Sequence, residues 1–370
     1  MNILAIESSC DETSVAVIRN GTEILSNVVA SSTLMHEKWG GIVPEVAARE
    51  QLESIIPVLT EALSSLSHQP SASSYQTIIK NSIDAIAITV GPGLIGSLLI
   101  GIETAKAIAF VTEKPIIPVN HVLAHMYANF LNSRQLSAVS SQTENSLGNN
   151  KIVFPAISLV VSGGHTELFL MKNKKDISWL GGTIDDAAGE AFDKSARLLG
   201  FGHGGGLAIQ KAAKEAIGRQ SSAIRLPRPI IHDDTLNFSF SGLKTAVMRE
   251  WKNSTNHNEQ MISAFSYEIQ EAITDVLVKK TLKAVQVHNA QSILISGGVA
   301  SNLRLREKMN EAISHQPSAR LAPKRAISFY SPPIEFCTDN AAYIGSYAYF
   351  RGTPVDWHEI NAIPDLSVEV

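Results

Sequence analysis

The feature that most restricts the fold is a repeat. Leu4–Ile18 (LAIESSCDETSVAVI) and Ile157–Met171 (ISLVVSGGHTELFLM) each read as an apolar strand, a short polar turn and a second strand. Laid over one another they place Ser9 on Ser162 and Thr13 on Thr166. Each is followed later by a strand, a Gly-rich turn and a helix, IDAIAITVGPGLIG from Ile83 and SILISGGVASN from Ser292. Two such units predict two similar α/β domains facing each other across a cleft, with the hairpin turns and the Gly-rich turns directed toward it.

A length of 370 residues leaves room for two domains with a core each. Periodicity predicts helices over Val46–Leu66, Leu94–Val111, Asp186–Leu199, Glu259–Val287 and Leu303–Ser314. In the fourth, Ile262, Phe265, Ile269, Ile273 and Leu277 recur at three- and four-residue spacing and mark a core face. Residues 131–150 enclose a Ser/Gln/Asn-rich run without periodicity, read as a flexible insertion. From Pro354 the tail is punctuated by prolines and expected on the surface. The apolar stretch Ile83–Val111 is split by Gly91-Pro92-Gly93 and carries Glu103 and Lys106, so it reads as strand, turn and buried helix, not as a membrane span.

The chain opens on a strand-like run, and its only cysteines are Cys10 and Cys337. The expected setting is therefore the reducing cytoplasm, with no membrane partner. Both cysteines read as small buried hydrophobes. A net charge of −4 exerts no general pull on nucleic acid, so an RNA partner would need a local basic patch or another subunit.

Several motifs carry chemistry. His121 and His125 in NHVLAH stand four apart, on one face of a helix. With Asp339 from EFCTDN they make a two-His, one-carboxylate set, the kind that holds Fe(II) or Zn and leaves positions open. The same spacing also arises by chance on solvated helix faces, so the residues alone leave both readings standing. Val160-Val161-Ser162-Gly163-Gly164 enters a tight turn whose N–H groups either converge on a phosphate or acyl oxygen or close an ordinary hairpin. The SGGVASN segment follows a strand and opens a helix, where an anion meets the helix N-terminus. Its Asn302 serves either an adenine or ribose edge, or the helix as a cap.

Asp193 lies inside a helix, placed for vicinal ribose hydroxyls or for a pair with Arg197, whereas Asp185 and Asp186 read as caps of that helix. Gly204-Gly205-Gly206 lets a ligand lie against bare backbone, or is a flexible turn. Glu7, Asp11 and Glu12 make the first hairpin acidic, suited to orienting a metal-bound water, an amine or a Mg–phosphate, or simply solvated. Lys244, Arg225, Arg228 and Arg249 form a modest basic cluster around NFSFSGLK, to touch phosphates or to stay solvated.

The motifs IESSCDET, HEKWGGIVPE, NHVLAH, VSGGHTEL, IDDAAGEAFDK, FSFSGLKT, SGGVASN and EFCTDN occur in this order. Together they resemble the bacterial TsaD family, tRNA threonylcarbamoyl-adenosine transferases once described as glycoproteases, over most of Ile3–Ala348. The resemblance implies the actin/Hsp70/sugar-kinase (ASKHA) fold, α/β, with duplicated RNase H-like domains. On it, residues 1–130 with 340–370 form the N-terminal domain, 151–339 the C-terminal one, and 131–150 the insertion. It implies transfer of threonylcarbamoyl from threonylcarbamoyl-AMP to N6 of adenosine 37 in tRNAs reading codons that begin with A. It further implies a metal, usually iron as Fe(2+) with zinc the alternative, on His121, His125 and Asp339. The adenylate would lie on Val160, Val161, Ser162, Gly163, Gly164, Asp193, Gly206 and Asn302. Partners would be a paralogous TsaB-like subunit and a small TsaE-like ATPase.

Two positions depart from the family pattern. Leu123 stands where many relatives have Glu between the histidines, and Gly204–Leu207 replaces a Pro-Gly-Gly-Pro segment. Because the exocyclic amine is a poor nucleophile, a base is expected, and Asp11 or Glu12 is the candidate. Competing readings are a small-molecule kinase of the same fold, an ATP-binding scaffold, and a metalloprotease. The last lacks the Glu that follows the first His in HExxH.

Overall fold

The computed structural model describes residues 1–370 except 37, 38, 40, 67–74, 133–151, 203, 217–223, 255 and 315–326. The expected insertion at 131–150 thus falls, apart from Leu131 and Asn132, outside the described residues. The runs rich in Ile, Val and Ala become strands: β1 (Asn2–Glu7), β2 (Glu12–Arg19), β3 (Glu23–Ser31), β4 (Ala85–Gly91) and β5 (Ile116–Asn120) in one sheet. A second sheet holds β6 (Ala156–Val161), β7 (Thr166–Met171), β8 (Ile177–Gly182), β9 (Ser292–Ser296) and β10 (Ser328–Tyr330).

Their orders are β3-β2-β1-β4-β5 and β10-β9-β6-β7-β8, the same sequence read from opposite edges. In both, the first three strands are antiparallel and the last two join in parallel. The repeat extends to register. The alignment that lays Ser9 on Ser162 lays the ladder pair Glu7–Ser14 on the ladder pair Val160–Glu167. It also lays Ile3, which faces Ala85, on Ala156, which faces Ser292.

The helices are α1 (Thr33–His36), α2 (Pro44–Ser64), α3 (Tyr75–Ser82), α4 (Ile95–Thr112), α5 (His121–His125), α6 (Ala188–Leu198), α7 (Gly205–Ala216), α8 (Ser241–Asn253), α9 (Glu259–His288), α10 (Leu303–Ser314) and α11 (Ala341–Arg351). Boundaries have local causes. Pro44 opens α2, where its missing N–H costs nothing, and Asn258 caps α9 by accepting from Met261 N at 3.0 Å. Asn289 then ends α9 in the left-handed conformation at φ 50°.

The chain divides into two compact units, Met1–Asn150 with Thr338–Val370, and Lys151–Cys337. In the first, α2 and α4 bury Ile55, Val58, Leu98 and Ile102 against Leu4, Ile6, Val15 and Val17. Each such side chain contributes about 1.5–3 kcal/mol. Alternation sends Ala5 and Ile18 to the opposite face, where α11 lies so close that a Cβ on Gly345 would come within 2.7 Å of Ile18. Helix α4 is long and apolar enough to cross a membrane by composition, yet its Leu98, Ile102 and Ala105 are core residues of this unit.

In the second unit Phe265, Ile269, Ile273 and Leu277 of α9 join Phe192 of α6 and Leu159, Val161 and Ile293 of the sheet, with Ile262 only partly buried. The tail is held more firmly than its prolines suggest. Ile363 N donates to Val90 O at 2.7 Å, Gly93 N to Pro364 O at 3.0 Å, and Asn120 Nδ2 to Ser367 O at 2.9 Å. It therefore lies over the carboxyl ends of β4 and β5.

Candidate metal centre

Strand β5 runs into α5 without a loop because its last residue is also the helix cap. Asn120 Oδ1 accepts from Val122 N at 3.0 Å and Leu123 N at 3.1 Å, which fixes His121 as the first helical residue. His125 follows one turn later on the same face, its ring centroid 4.7 Å from that of His121. On returning to this unit, the chain repeats the device: Asn340 Oδ1 accepts from Ala342 N at 3.1 Å, starts α11, and fixes Asp339 just ahead of it. Asp339 Oδ1 then lies 3.6 Å from His121 Nε2 and 3.4 Å from His125 Nε2. One ligand atom from each of the three residues falls within 4.8 Å of the others.

The support behind these residues sets their chemistry. Glu7, at the end of β1 and fully buried, takes its Oε2 to 3.1 Å from His121 Nδ1, so that nitrogen carries the proton and Nε2 is left free to ligate. Ser9 Oγ sits 3.2 Å from the same Nδ1. Thr89 Oγ1 and Ser9 N each donate to Glu7 at 2.6 Å. Burial pushes the Glu7 carboxyl up, but the charge and hydrogen bond of His121 outweigh it and leave Glu7 below its ordinary range. Burial likewise opposes a charged His121, yet Glu7 and Asp339 raise it to about 9, so at neutral pH Nε2 also carries a proton, one that a bound cation would displace.

For Asp339 burial is again outweighed, by His121 and His125, so it stays ionised to low pH, and Tyr343 Oη donates to it at 3.3 Å. His125 is different. Burial lowers it, and neither of its ring nitrogens has a hydrogen-bond partner among the described residues. Its Nε2 approaches Asp339 without the alignment of a hydrogen bond. Among the described residues, a buried imidazole without a hydrogen-bond partner, beside a second imidazole and an ionised carboxylate, makes a donor set that a divalent transition metal completes.

The candidate bases lie in the same unit. Asp11 is buried, and its Oδ2 accepts from Thr33 Oγ1 at 3.0 Å. Glu12 is pushed up to about 10 by burial and by the charges of Asp339 and Asp11. It therefore holds its proton at neutral pH until a cation offsets those charges. Sequence reasoning did not connect Thr89, Asn120, Asn340 or Tyr343 to the site. The Asn-His and Asp-Asn dipeptides, each a cap beside a ligand, were the available signal.

In the second unit Val160 and Val161 are buried at the end of β6, and the turn closes through Ser162 N to His165 O at 2.8 Å. Gly163 and Gly164 are exposed, and a Cβ on either would meet nothing within 4 Å. Asn302 caps α10 by accepting from Leu305 N at 3.0 Å and donates to Gln270 at 3.1 Å. Asp193 lies under Gly205, where a Cβ would come within 2.7 Å of its Cα and Oδ1. At Gly206 a Cβ would meet only Phe192, at 3.9 Å, so Gly205 is the position that close approach demands.

Three expectations change here. Asp185 does not cap α6: it caps α8, accepting from Phe240 N at 2.8 Å and Ser241 N at 3.2 Å. Asp186 pairs with Lys194 at 2.7 Å instead of capping. The basic cluster disperses, because Arg228 is engaged by Glu268 and Asp275, and Arg249 by Glu250. Of the cysteines Cys337 is buried and Cys10 only partly so.

The TsaD family model, described as tRNA N6-adenosine threonylcarbamoyltransferase, matches residues 23–346. A protein of that description from Persephonella marina is 45% identical over 364 residues, covering 96% of this chain and 93% of its own length. One from Clostridium botulinum is 44% identical over 374 residues, covering 100% and 98%. One from Moorella thermoacetica is 41% identical over 368 residues, covering 99% and 96%. Among solved structures, HypF of T. kodakarensis matches 94% of this chain and 47% of its own with a TM-score of 0.57 at 12% identity. Full-length HypF in its phosphate- and nucleotide-bound form gives 0.54 at 11% identity, over 94% and 55%. At such identities the likeness shows the fold alone, the duplicated ASKHA fold.

Proposed function

This chain belongs to the TsaD family, the tRNA N6-adenosine threonylcarbamoyltransferases, and we propose that it carries threonylcarbamoyl from threonylcarbamoyl-AMP to N6 of adenosine 37 in tRNAs reading codons that begin with A. The observation that carries the reading is the convergence of His121, His125 and Asp339 within 4.8 Å, with both nitrogens of His125 lacking a hydrogen-bond partner among the described residues. Two imidazoles and a carboxylate suit Fe(II), our choice of resident ion, with zinc the alternative. A divalent ion held there would supply Lewis acidity toward an oxygen of the donor.

The residues of the chain do the rest. The amides of Gly163 and Gly164, with Val160, Val161, Ser162, Asp193, Gly206 and Asn302, bind the adenylate. Exposed glycine backbone with open space above it supports that assignment. The N6 lone pair attacks the carbamoyl carbon, the C–N bond forms, and the bond to the phosphate oxygen breaks with release of AMP. The proton lost from N6 passes to Asp11 or Glu12; the charges of Asp339 and Asp11 felt by Glu12 support this choice.

With no basic excess on the chain, tRNA is held jointly with a paralogous TsaB-like subunit, and a small TsaE-like ATPase completes the set. Exposed Leu52 and Ile56 on α2, and Ile95 and Leu99 on α4, support such a partner, since apolar residues left on two packed helices mark association surfaces. The place of action is the cytoplasm, where tRNA substrates are. The kinase and scaffold readings draw no support from the family match.

The test uses purified partners, tRNA and preformed adenylate. His121→Ala is expected to abolish threonylcarbamoyl-adenosine in nucleoside mass spectrometry. Undiminished modification would remove the ligand group from the mechanism.

A further inference from the structure

We propose that Gln51 is a positioning residue for the transfer: its carboxamide grips the turn Ser8–Glu12 from behind, so that Ser9 reaches His121 and the Glu12 carboxyl stays beside Asp339. The inference rests on the reading that this acidic turn takes part in the reaction. Gln51 is 1% exposed on a helix whose other buried residues, Ala47, Ile55, Val58, Ala62 and Leu63, are all apolar. A polar head on such a face is costly unless it is bonded.

Its Nε2 donates to Glu12 O at 2.9 Å and Cys10 O at 3.0 Å, with Ser8 O at 3.4 Å. Three alternate carbonyls thus curl around one nitrogen. The amide's own Oε1 has no partner among the described residues, so the side chain serves the turn and not itself. Ser97 of α4 reinforces the grip: its Oγ donates to Cys10 O and its backbone carbonyl accepts from Ser8 Oγ, both at 2.9 Å.

The turn needs this help. Between Glu7 and Glu12 it has no ladder partner; Leu94 N meets Ser9 O at 2.8 Å and Ser32 N meets Asp11 O at 3.0 Å, which leaves Ser8 O and Cys10 O to Gln51 and Ser97. The counterpart turn in the second sheet closes on itself through Ser162 and His165.

The test compares Gln51→Met, which removes the donor at similar volume, with Gln51→His, which restores an N–H at similar reach. Both are assayed in the full system with partners, tRNA and preformed adenylate. For Gln51→Met, kcat is expected to fall ~10- to 100-fold, with KM for tRNA changed less than about twofold, and Gln51→His to recover to within about threefold of wild type. Wild-type kcat per folded Gln51→Met enzyme, or no recovery in Gln51→His, overturns the proposal. If Gln51→Met does not fold, Ser97→Ala carries the test, and an unchanged kcat there overturns it too. Asp11→Asn and Glu12→Gln separate the two readings. If both keep full kcat while Gln51→Met loses it, the base assignment falls, and the positioning role stands through Ser9 and His121.

Discussion

Where β1 turns into β2 the chain is acidic and buried; where β6 turns into β7 it is glycine-rich and open. The ladders beneath are the same, Glu7 facing Ser14 and Val160 facing Glu167 at equivalent places. In the first turn Ser8, Ser9 and Asp11 are buried beside Glu7, and their polar groups are matched by Gln51, Ser97, Ser32 and Thr33. In the second, Gly163 and Gly164 are exposed, and a side chain on either would enter open space. A duplicated backbone therefore fixes where a turn stands, while its composition fixes the sign of the ion it suits. Carboxylates beside imidazoles gather a cation, and unshielded N–H groups gather an anion.

The largest expected effect breaks the first half of that contrast. His125→Ala should remove the bound ion and lower transfer more than ~100-fold, read by elemental analysis and single-turnover assay. Retention of one equivalent of metal would show that the ligands lie elsewhere. Glu7→Gln should act more mildly, weakening metal affinity about 10- to 100-fold, because the amide no longer fixes the tautomer of His121. Unaltered affinity in a competition titration would reduce Glu7 to a packing role.

The second turn offers the converse. Gly297 adopts φ +88°, and a Cβ there would stand 2.4 Å from Val161 O, at the base of the glycine turn. Gly297→Ala should cost about 2–3 kcal/mol, seen as a lower denaturation midpoint. Gly163→Ala, with nothing within 4 Å of its new methyl, should leave the midpoint unmoved and raise KM for the adenylate. A lowered midpoint with normal KM would reverse the roles assigned to these two glycines.

Much of this was legible in the sequence because it depends on local spacing. The strand repeat holds in register, and each of the five helices read from periodicity ends within two residues of its observed bounds. Helix α11 was missed because Ala341–Ala348 are all buried, so no polar stripe marks a period. Gln51 and Tyr343 were missed because their partners, Cys10 and the histidines, meet them only through tertiary packing. Asp185 misled for a physical reason. The first amides of α6 are already taken, Ala188 N by Thr166 Oγ1 at 2.9 Å and Gly189 N by Ser162 O at 3.2 Å, so the carboxylate serves the free N–H groups of α8.

That carboxylate gives the smallest and cleanest test of how the second sheet differs from the first. After β3 the chain sends Thr33 to the Asp11 carboxylate; after β8 it is Asp185 itself that reaches out, to a helix start. Burial is the largest single influence and raises the Asp185 carboxyl, but the bonds from Ser239, Phe240 and Ser241 together outweigh it and hold it below its ordinary value of 3.8. A depressed folded value means the unfolded chain takes up the proton first. The cap's contribution is therefore whole above about pH 4 and fades as pH falls through the folded value. Asp185→Asn keeps the acceptor but loses the charge, so it should lower stability by about 0.5 kcal/mol at pH 7, and the gap from wild type should close toward pH 3. Melting curves of the two proteins across that range decide it, since a gap that persists undiminished at low pH would mean that the charge of Asp185 contributes nothing to holding α8.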